Sequence, residues 1–575
     1  MPRWIYEKSE LGCGENPQGI PVSILNMLRR RAVVSAEQIE DFLSPAPRAT
    51  YDPALLPDLQ EAAVEIVDTA DAGGLICVYG DYDADGVTSS AMMYSVLKKL
   101  SPNVRFYLPS RFEDGYGLNM ESVEDMASEG TRLLITVDCG STNLAEVRRA
   151  RELGIKVIVT DHHEPGEEGM SDCLFINPKR KDSNYPFKEL SGCGTAFKLL
   201  QGIQRLLAER GDERFTKQDL NDQLDLVAIS TVADVVPLLD ENRTLVKYGL
   251  HVLNSLRRPG LKILADMLGL VGGRISSEDI AYNIAPHINS LGRMSRADSA
   301  VELLAGEGSD EELREKASEM IETNRQRRRT QDETAEICLE LAKSEHYGDL
   351  FPIIKAPEAH EGVAGIVAGK LKESLYRPVC IVTESAEGLL KGTSRSIPEL
   401  NIHDMLSSCS DLFVRFGGHS GACGFSMDPA NLEELRERSE AFMRRELEAR
   451  PELLQEIIYI EDVLQAGDIS EDFVGWLKKL EPYGKDNERP IFAIENVHPG
   501  GIYRMGSEGQ HLRFIITKQD RRLQCVLFSR AEQFLDLMLS DLPLDLAGEL
   551  GIDEYNGKRN LQFTVRDIKR SELND

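Results

Sequence analysis

No CxxC pair occurs among the ten cysteines, so neither a zinc knuckle nor a thioredoxin-like redox centre is supported. Their irregular spacing in so long a chain argues against a secreted disulfide scaffold and for reduced thiols in the cytoplasm. No apolar run approaches the ~20 residues needed to span a bilayer, and the opening MPRWIYEKSE lacks the apolar stretch of a secretory signal. Tandem repeats and low-complexity tracts are also missing. A cytoplasmic protein without a membrane partner is expected. Basic charge is scarce: 66 Lys and Arg stand against 96 Asp and Glu, for a formal net charge of −30. That balance argues against a uniformly basic surface and non-specific adhesion to nucleic acid. It leaves room for a local basic groove, because potentials are screened beyond ~8 Å at physiological salt.

What is present is ordinary globular material, with 41% hydrophobic and 28% charged residues. At 575 residues the chain suggests about three or four domains. Residues 1–50 read as a small helical lead-in, with helix-like SILNMLRRR and AEQIEDFLS. From there to about 305, short apolar runs alternate with amphipathic stretches. The runs GLICVYG (74–80), VRFYL (104–108), RLLITV (132–137) and KVIVT (156–160) are separated by helix-like 87–100, 120–129 and 143–153. Such alternation predicts βαβ units and a parallel sheet of buried strands. Residues 193–270 look largely helical. A polar, proline-free stretch within 306–345, containing Arg325, Arg327, Arg328 and Arg329, reads as one or two helices suited to joining domains. A second α/β pattern occupies 346–450. From 456 to 575 the chain shifts to strands, and the dipeptide Asn556-Gly557 signals a hairpin between two of them.

The most informative segment is VYGDYDADGVTSSAMM (78–93), which puts Asp81, Asp83 and Asp85 directly after a buried strand and before a helix. Asp138 follows the strand RLLITV, and Asp161, His162 and His163 follow KVIVT. Three acid-bearing segments thus fall at the carboxyl ends of strands, where open α/β sheets bind ligands. Any single aspartate there can be only a helix cap, and Asp81 fits that role best, with the helix beginning near Gly86 or before it. The set is different. Two carboxylates about 6 Å apart repel by roughly 3 kcal/mol at an effective dielectric of 20, so several in one crevice require cations or raised pKa values. Carboxylates with imidazole suit manganese or a comparable divalent ion, and two ions ~3.5–4 Å apart would activate water for attack on phosphorus.

These residues resemble a known superfamily. GDYDADGVTSSAM, VDCGS (137–141) and the Asp161-His162-His163 triplet are similar to the DHH phosphoesterases. LPSRFEDGYGL (108–118), SGCGTAFKLL (191–200), STVADVVPLLDENRTLVKYGL (230–250), IAPHINSLGRM (284–294), HEGVAGIVAGKL (360–371), GTSRSI (392–397) and RFGGHSGACGFSM (415–427) resemble, in order, the RecJ single-strand DNA exonucleases. The resemblance implies an α/β multidomain fold. Its parts are a parallel-sheet DHH domain (51–305), a long linker helix (306–345), an α/β DHH-associated domain (346–450) that closes over substrate, and a C-terminal β-barrel, an OB-fold (456–575). It implies a metal-dependent 5′→3′ exonuclease on single-stranded DNA that releases 5′-mononucleotides in repair and recombination.

The resemblance also assigns residues. Asp83, Asp85, Asp138, His162 and Asp234 become ligands to Mn2+ or Mg2+, as two ions, with Asp81 and His163 beside them in the catalytic set. Tyr79 stands where the superfamily often has histidine; it can hydrogen-bond a ligand or phosphate but is a poor substitute for imidazole. Thr393 and Arg395 would hold the terminal 5′-phosphate or adjacent backbone, with Arg111, Arg293, His360, Gly418 and His419 as further phosphate contacts. In the C-terminal domain Arg504, Arg513, Lys518, Arg521, Arg522 and Arg530 interleave with Tyr503, Phe514 and Phe528, cations for phosphates beside platforms for bases. Arg504, Arg513 and Phe514 are the DNA contacts chosen, although core burial competes for Phe514 and Phe528. Single-stranded DNA is the expected partner of a monomer, with a single-strand-binding protein and a helicase as candidate protein partners. Since every expected metal ligand precedes residue 240, a chain cut before Glu456 should retain chemistry. Two other readings stay open: a DHH phosphodiesterase for short oligonucleotides or cyclic dinucleotides, which needs no OB-like domain, and an inactive DNA-binding scaffold, which needs no intact ligand set.

Overall fold

The computed structural model describes residues 2–7, 19–111, 117–166, 169–170, 172–270, 272–346, 348–385, 388–555 and 558–571. The chain divides into two compact units. One comprises Trp4–Ile288, Ala297–Ala317 and Ile457–Asp575; the other comprises Met1–Arg3, Asn289–Arg296 and Ser318–Glu456.

The first unit is built on a five-stranded, wholly parallel sheet. Its strands run in the order Val104–Tyr107, Leu75–Tyr79, Thr131–Val137, Lys156–Thr160, Leu174–Ile176. The near-continuous apolar runs seen in the sequence are what a strand covered on both faces requires, and Ile76, Val78, Leu133, Ile135 and Ile158 are fully buried. Thr131–Val137 and Lys156–Thr160 are neighbours, as the short crossover between them requires. Helix Leu59–Asp71 and strand Leu174–Ile176 escaped the sequence reading. Helix Ala84–Leu100 is enclosed on nearly every side, which its small residues Ala84, Gly86, Ser89, Ser90 and Ala91 permit.

The same unit carries a seven-stranded, mainly antiparallel sheet formed by 462–570. Phe492, Phe514 and Phe563 fill its core. Helices Val22–Arg30 and Ala36–Leu43 contribute Ile24, Leu28 and Phe42 to that core, and strand Arg3–Tyr6 pairs with Ile457–Ile460. Strand Gly500–Met505 and helices Glu471–Leu480 and Ala531–Met538 were not foreseen. Leu544–Tyr555 and Lys558–Arg570 pair up to Tyr555 opposite Lys558; the Asn556-Gly557 turn itself lies outside the described residues.

In the second unit a five-stranded sheet has the order Phe413–His419, Ala422–Met427, Leu390–Arg395, Val379–Glu384, Ile353–Lys355. The polar linker is one helix, Asp310–Ser344. Ala335, Cys338 and Ala342 on it pack against Val363, Val367 and Ile381.

Two buried cations tie the first unit together. Arg243 stacks on Phe42 at 3.8 Å and donates to the backbone carbonyls of Phe42, Lys479, Leu480 and Glu481. Lys198 meets Glu241 at 2.6 Å with both side chains 0% exposed, and Tyr185 donates to the second carboxylate oxygen at 2.5 Å. Removing one member strands the other charge in the interior. Glu241→Ala should therefore lower stability by about 3–5 kcal/mol, and Glu241→Leu combined with Lys198→Met by much less. Urea unfolding of the two variants measures this; equal losses would show that the ion pair itself supplies the stability.

Candidate metal centre

The site grows from the carboxyl ends of three adjacent strands. After strand Leu75–Tyr79 the chain turns into helix Ala84–Leu100, whose cap is Asp83: its Oδ1 accepts from the N–H groups of Asp85 at 2.9 Å and Gly86 at 3.1 Å. Asp81, expected as the cap, does not cap. Its carboxyl is buried, with Oδ1 lacking any hydrogen-bond partner. The turn requires Gly86, since a Cβ there would lie 2.4 Å from the Asp81 carbonyl oxygen.

Asp138 adopts a left-handed backbone, φ 60, at the end of its strand, while its N–H continues the ladder to the Thr160 carbonyl at 3.0 Å. Aspartate tolerates this conformation better than most residues. One strand further on, Asp161 organises the turn that follows. It accepts from the N–H groups of Ser141, His162 and His163 and meets His163 Nδ1 at 2.7 Å. Burial alone would raise its pKa, but these donors and the imidazole charges hold it well below the carboxylate range. His162 is thereby aimed inward. Its Nε2 lies 3.2 Å from Asp138 Oδ1, 3.6 Å from Asp234 Oδ2 and 3.8 Å from Asp85 Oδ2. Burial pulls the His162 pKa down, favouring the neutral imidazole a cation requires. Burial lowers His163 too, but the bond to Asp161 and nearby carboxylates push it up to about 9.

Asp85 is held from behind. Gly192 and Cys193 N–H donate to it at 2.7 and 2.8 Å, and the Ser230 hydroxyl donates at 2.6 Å. Gly192 is indispensable to this approach, because a Cβ would fall 2.4 Å from Asp138 Oδ1. Asp234 ends helix Leu224–Ala233. Of these supports, Gly192 and Cys193 lie in a motif that carries the resemblance; the Ser230 bond depends on helices meeting across the fold and has no local signal.

The donor atoms fall into overlapping groups, each within 4.8 Å: Asp81, Asp83 and Asp138; Asp85, His162 and Asp234; and Asp138, Asp161, His162 and His163. Asp81 Oδ1, Asp138 Oδ1, Asp234 Oδ2 and His162 Nε2 are all buried without a hydrogen-bond partner. Orphaned buried acceptors are costly, and these four, distributed over the overlapping groups, match divalent cations in chemistry and placement. Burial and the charge of Asp83 push Asp81 up to about 8. Burial with Asp85 and Asp83 does the same to Asp234, and Asp138 is raised further in the same sense. Tyr79 takes no part: it is fully buried, stacks on Tyr107 at 5.2 Å and donates to the Gly117 carbonyl at 2.9 Å. Arg111 stacks over Tyr82 at 4.5 Å, and its charge acts on Asp81.

The expected phosphate contacts of the second unit gather on its sheet. Ala422 pairs with both Arg395 and His419, and Gly424 with both Thr393 and Gly417. Gly418 has φ 147, with the Ala422 carbonyl where a Cβ would go, at 2.4 Å. Arg395 donates to the Ser394 carbonyl at 2.9 Å, and among the described residues no carboxylate pairs with it. A salt-bridge role for Arg395 is therefore unsupported. Arg293 approaches the Gly362 carbonyl at 3.4 Å. His360 caps helix Glu361–Leu375 through Nδ1, accepting from the Gly362 N–H at 3.1 Å. On the C-terminal sheet Phe514 is 0% exposed in the core and cannot stack on a base. Tyr503 and Phe528 are 62% and 52% exposed. Arg513 is exposed opposite Tyr503, while Arg504 pairs with Glu532 at 2.6 Å.

A parallel sheet whose strand ends converge acids and a histidine on cation sites, followed by a second α/β sheet, defines a phosphoesterase of the DHH class. The DHH family N-terminal domain matches residues 75–231, the DHHA1 domain 351–445 and the RecJ OB domain 460–567. The single-stranded-DNA-specific exonuclease RecJ of Bacillus subtilis is 34% identical over 96% of this chain and 68% of its own length. Its Escherichia coli counterpart is 32% identical over 96% of both chains. The crystal structure of Thermus thermophilus RecJ in complex with Mn2+ matches with TM-score 0.79 and 31% identity, over 96% of this chain and 76% of that one. A Mg2+ complex of RecJ from the same organism matches with TM-score 0.74 and 29% identity, over 96% and 75%. The chain belongs to the RecJ exonuclease family and is a metal-dependent nuclease.

The raised carboxyls give the centre a pH signature. Asp81 and Asp234 keep their protons to about pH 8 in the folded, cation-free protein, whereas unfolded they ionise near 3.8. The folded state binds more protons in that window, so these groups make stability fall as pH rises from about 4 to about 8. Mn2+ should relieve the repulsion. The Tm difference between Mn2+-loaded and EDTA-treated protein is expected to widen steadily from about pH 5.5 to about pH 8. A gap independent of pH would mean that these carboxylates share no cation.

Proposed function

We propose that this chain is a single-strand-specific 5′→3′ exodeoxyribonuclease that releases 5′-mononucleotides at a two-cation centre and serves DNA repair and recombination. The observation carrying this reading is the set of partnerless, buried donor atoms of Asp81, Asp138 and His162 after the strand ends and of Asp234 at a helix end, shared among overlapping groups of donors. The relatives named as single-stranded-DNA-specific exonucleases supply the substrate class and the solved Mn2+ and Mg2+ complexes the cation class.

Two bound divalent cations would supply an activated water and neutralise charge at the scissile phosphate. Asp83, Asp85, Asp138, His162 and Asp234 are proposed to hold them, and the grouping of Asp81 with Asp83 and Asp138 adds Asp81. Asp161 holds the backbone N–H of His162, and Gly192, Cys193 and Ser230 hold Asp85, so the ligands need little reorganisation. Arg111, Thr393, Arg395, Gly418 and His419 are proposed to bind backbone or terminal phosphate, with Arg293 assisting; Arg395, free of any carboxylate among the described residues, is the strongest of them. Tyr503, Phe528 and Arg513 are proposed to receive the strand on the C-terminal sheet. The domain division proposed is 1–50, 51–305, 306–345, 346–450 and 456–575. The protein would act as a cytoplasmic monomer, with a single-strand-binding protein and a helicase as candidate partners; no helix among the described residues is long and apolar enough to cross a membrane.

End-labelled single-stranded and duplex DNA, incubated with Mn2+, Mg2+ or chelator, tests the activity. Mononucleotides should appear from the 5′ end of single strands only, and Asp138→Ala should slow release ~100-fold or more while remaining folded. Release from the 3′ end, or an Asp138→Ala rate near wild type, would overturn the reading. The C-terminal face is tested separately. Tyr503→Ala and Phe528→Ala should each weaken capture of a long single strand by ~1–3 kcal/mol without changing stability. Phe514→Ala should instead destabilise the fold by ~3–5 kcal/mol. Titration and melting of the three variants distinguish stacking surface from core.

A further inference from the structure

The last strand of the parallel sheet, Leu174–Ile176, carries no acid at its carboxyl end; Asn177, Pro178 and Lys179 follow it. The Asp161 N–H donates to the Ile176 carbonyl at 3.1 Å, so these residues run beside the turn that presents His162 and His163. Asn177 fastens them there. Its side chain is buried, and its amide donates to the Ser141 hydroxyl at 2.9 Å and to the His163 carbonyl at 2.8 Å. Its Oδ1 accepts from the Lys179 N–H at 2.8 Å, a local turn that asparagine forms readily. One buried amide side chain thereby ties Lys179 to the segment that carries His162.

The Lys179 ammonium lies between two segments that flank the proposed cation ligands. Its Nζ is 3.4 Å from Oε1 of Glu164, which follows His163, and 3.9 Å from Oε2 of Glu189, which comes just before the Gly192 amide that grips Asp85. Both distances are long for charge-assisted bonds. The two carboxylates are 82% and 48% exposed, against 20% for the Lys179 side chain, and ion pairs of that kind contribute little to stability. A largely enclosed lysine with such weak partners is poorly explained as a structural clip. Burial dominates the pKa of His162 and of Asp234, and the charge of Lys179 acts on both, disfavouring protonation. Lys179 also lines a cavity of about 370 Å3, which leaves room for a ligand at its side.

Charge balance gives such a cation a purpose. Two divalent ions would bring four positive charges to a site where Asp81, Asp83, Asp85, Asp138 and Asp234 bring five negative ones. The loaded centre then has no surplus with which to draw in a phosphate, so the attraction must come from cations at its rim. We propose that Lys179 is a phosphate-binding residue of the centre: its ammonium leaves its weak contacts with Glu164 and Glu189 to meet a backbone phosphate of the strand that enters beside His162. Arg111, whose charge acts on Asp81, serves another part of the donor set in the same way. The inference rests on the proposed action on single-stranded DNA.

The test uses the full chain carrying Asp138→Ala, which consumes a strand too slowly to disturb a titration. A labelled, 5′-phosphorylated single strand is titrated in Mn2+ at several salt concentrations. Adding Lys179→Met, which keeps the aliphatic stem and removes the charge, should weaken binding roughly 10-fold. It should also make the dependence of log K on log salt shallower by ~0.7, the share of one single-strand phosphate contact. Lys179→Arg should restore most of the affinity and the slope. In the chain with Asp138 intact, Lys179→Met should leave melting in chelator and direct Mn2+ binding, read as loss of the free-ion electron paramagnetic resonance signal, near wild type. Should Lys179→Met not fold, Lys179→Gln takes its place. Unchanged strand affinity and slope would overturn the assignment; so would a loss of melting temperature or Mn2+ binding with the slope unchanged, which would make Lys179 a clip for Glu164 and Glu189. If the parent chain with Lys179 intact binds no single strand, the proposed substrate class fails and this assignment with it.

Discussion

Like charges held at close range in a dry site govern this molecule. Asp81, Asp85 and Asp138 are buried and Asp83 and Asp234 half-buried among one another, where water screens them poorly, and at such distances repulsion is worth several kcal/mol. Much of the surrounding architecture serves to hold them there. Asp85 is gripped by the N-terminal amides of helix Gly192–Glu209, Asp83 by the first amides of its own helix, and Asp161 by three backbone donors. Asp138 is turned inward by a left-handed backbone. The positive ends of helices are natural partners for such anions. Asp81 Oδ1, Asp138 Oδ1 and Asp234 Oδ2 are left without any hydrogen-bond partner.

A cation centre needs stiff walls, and the walls here rest on three consecutive residues. Glu241 neutralises the buried Lys198, Asn242 anchors the Pro237 and Glu189 carbonyls, and Arg243 gathers carbonyls from Phe42 and from 479–481. All three side chains are buried. Their partners come from the N-terminal helices, the parallel-sheet region and the approach to the C-terminal sheet, so one turn of helix secures three distant parts of the chain. Arg243 does this with carbonyl partners, which its planar fork of donors suits.

The net charge of −30 sets the terms for meeting a polyanion. Acidic residues spread over a large surface discourage indiscriminate adhesion, and cations without a carboxylate partner can still act locally. Arg513 beside Tyr503 and Arg395 beside Thr393 illustrate two such places, one in each compact unit.

Periodicity in the sequence was sufficient to place four of the five parallel strands, the helices between them and the acids at the strand ends, because those features depend on near neighbours and on which faces are covered. Motif order carried the resemblance and with it Asp234, which no local pattern distinguishes from any other helix-end aspartate. Choosing between Asp81 and Asp83 as the cap was beyond it, since that turns on backbone angles at single residues. Phe514 and Phe528 look alike in the sequence; strand register buries the first, and the second lies just past a strand end with its ring exposed. Tyr79, a poor substitute for the imidazole the superfamily often has there, is pointed by strand direction into the apolar layer against Tyr107. The Leu238–Lys485 bond, Arg243 among its carbonyls and the strand pairing of Arg3–Tyr6 with Ile457–Ile460 belong to tertiary structure alone. They join residues hundreds of positions apart through backbone groups, and every peptide carries the same N–H and C=O, so no residue type at either end announces its partner.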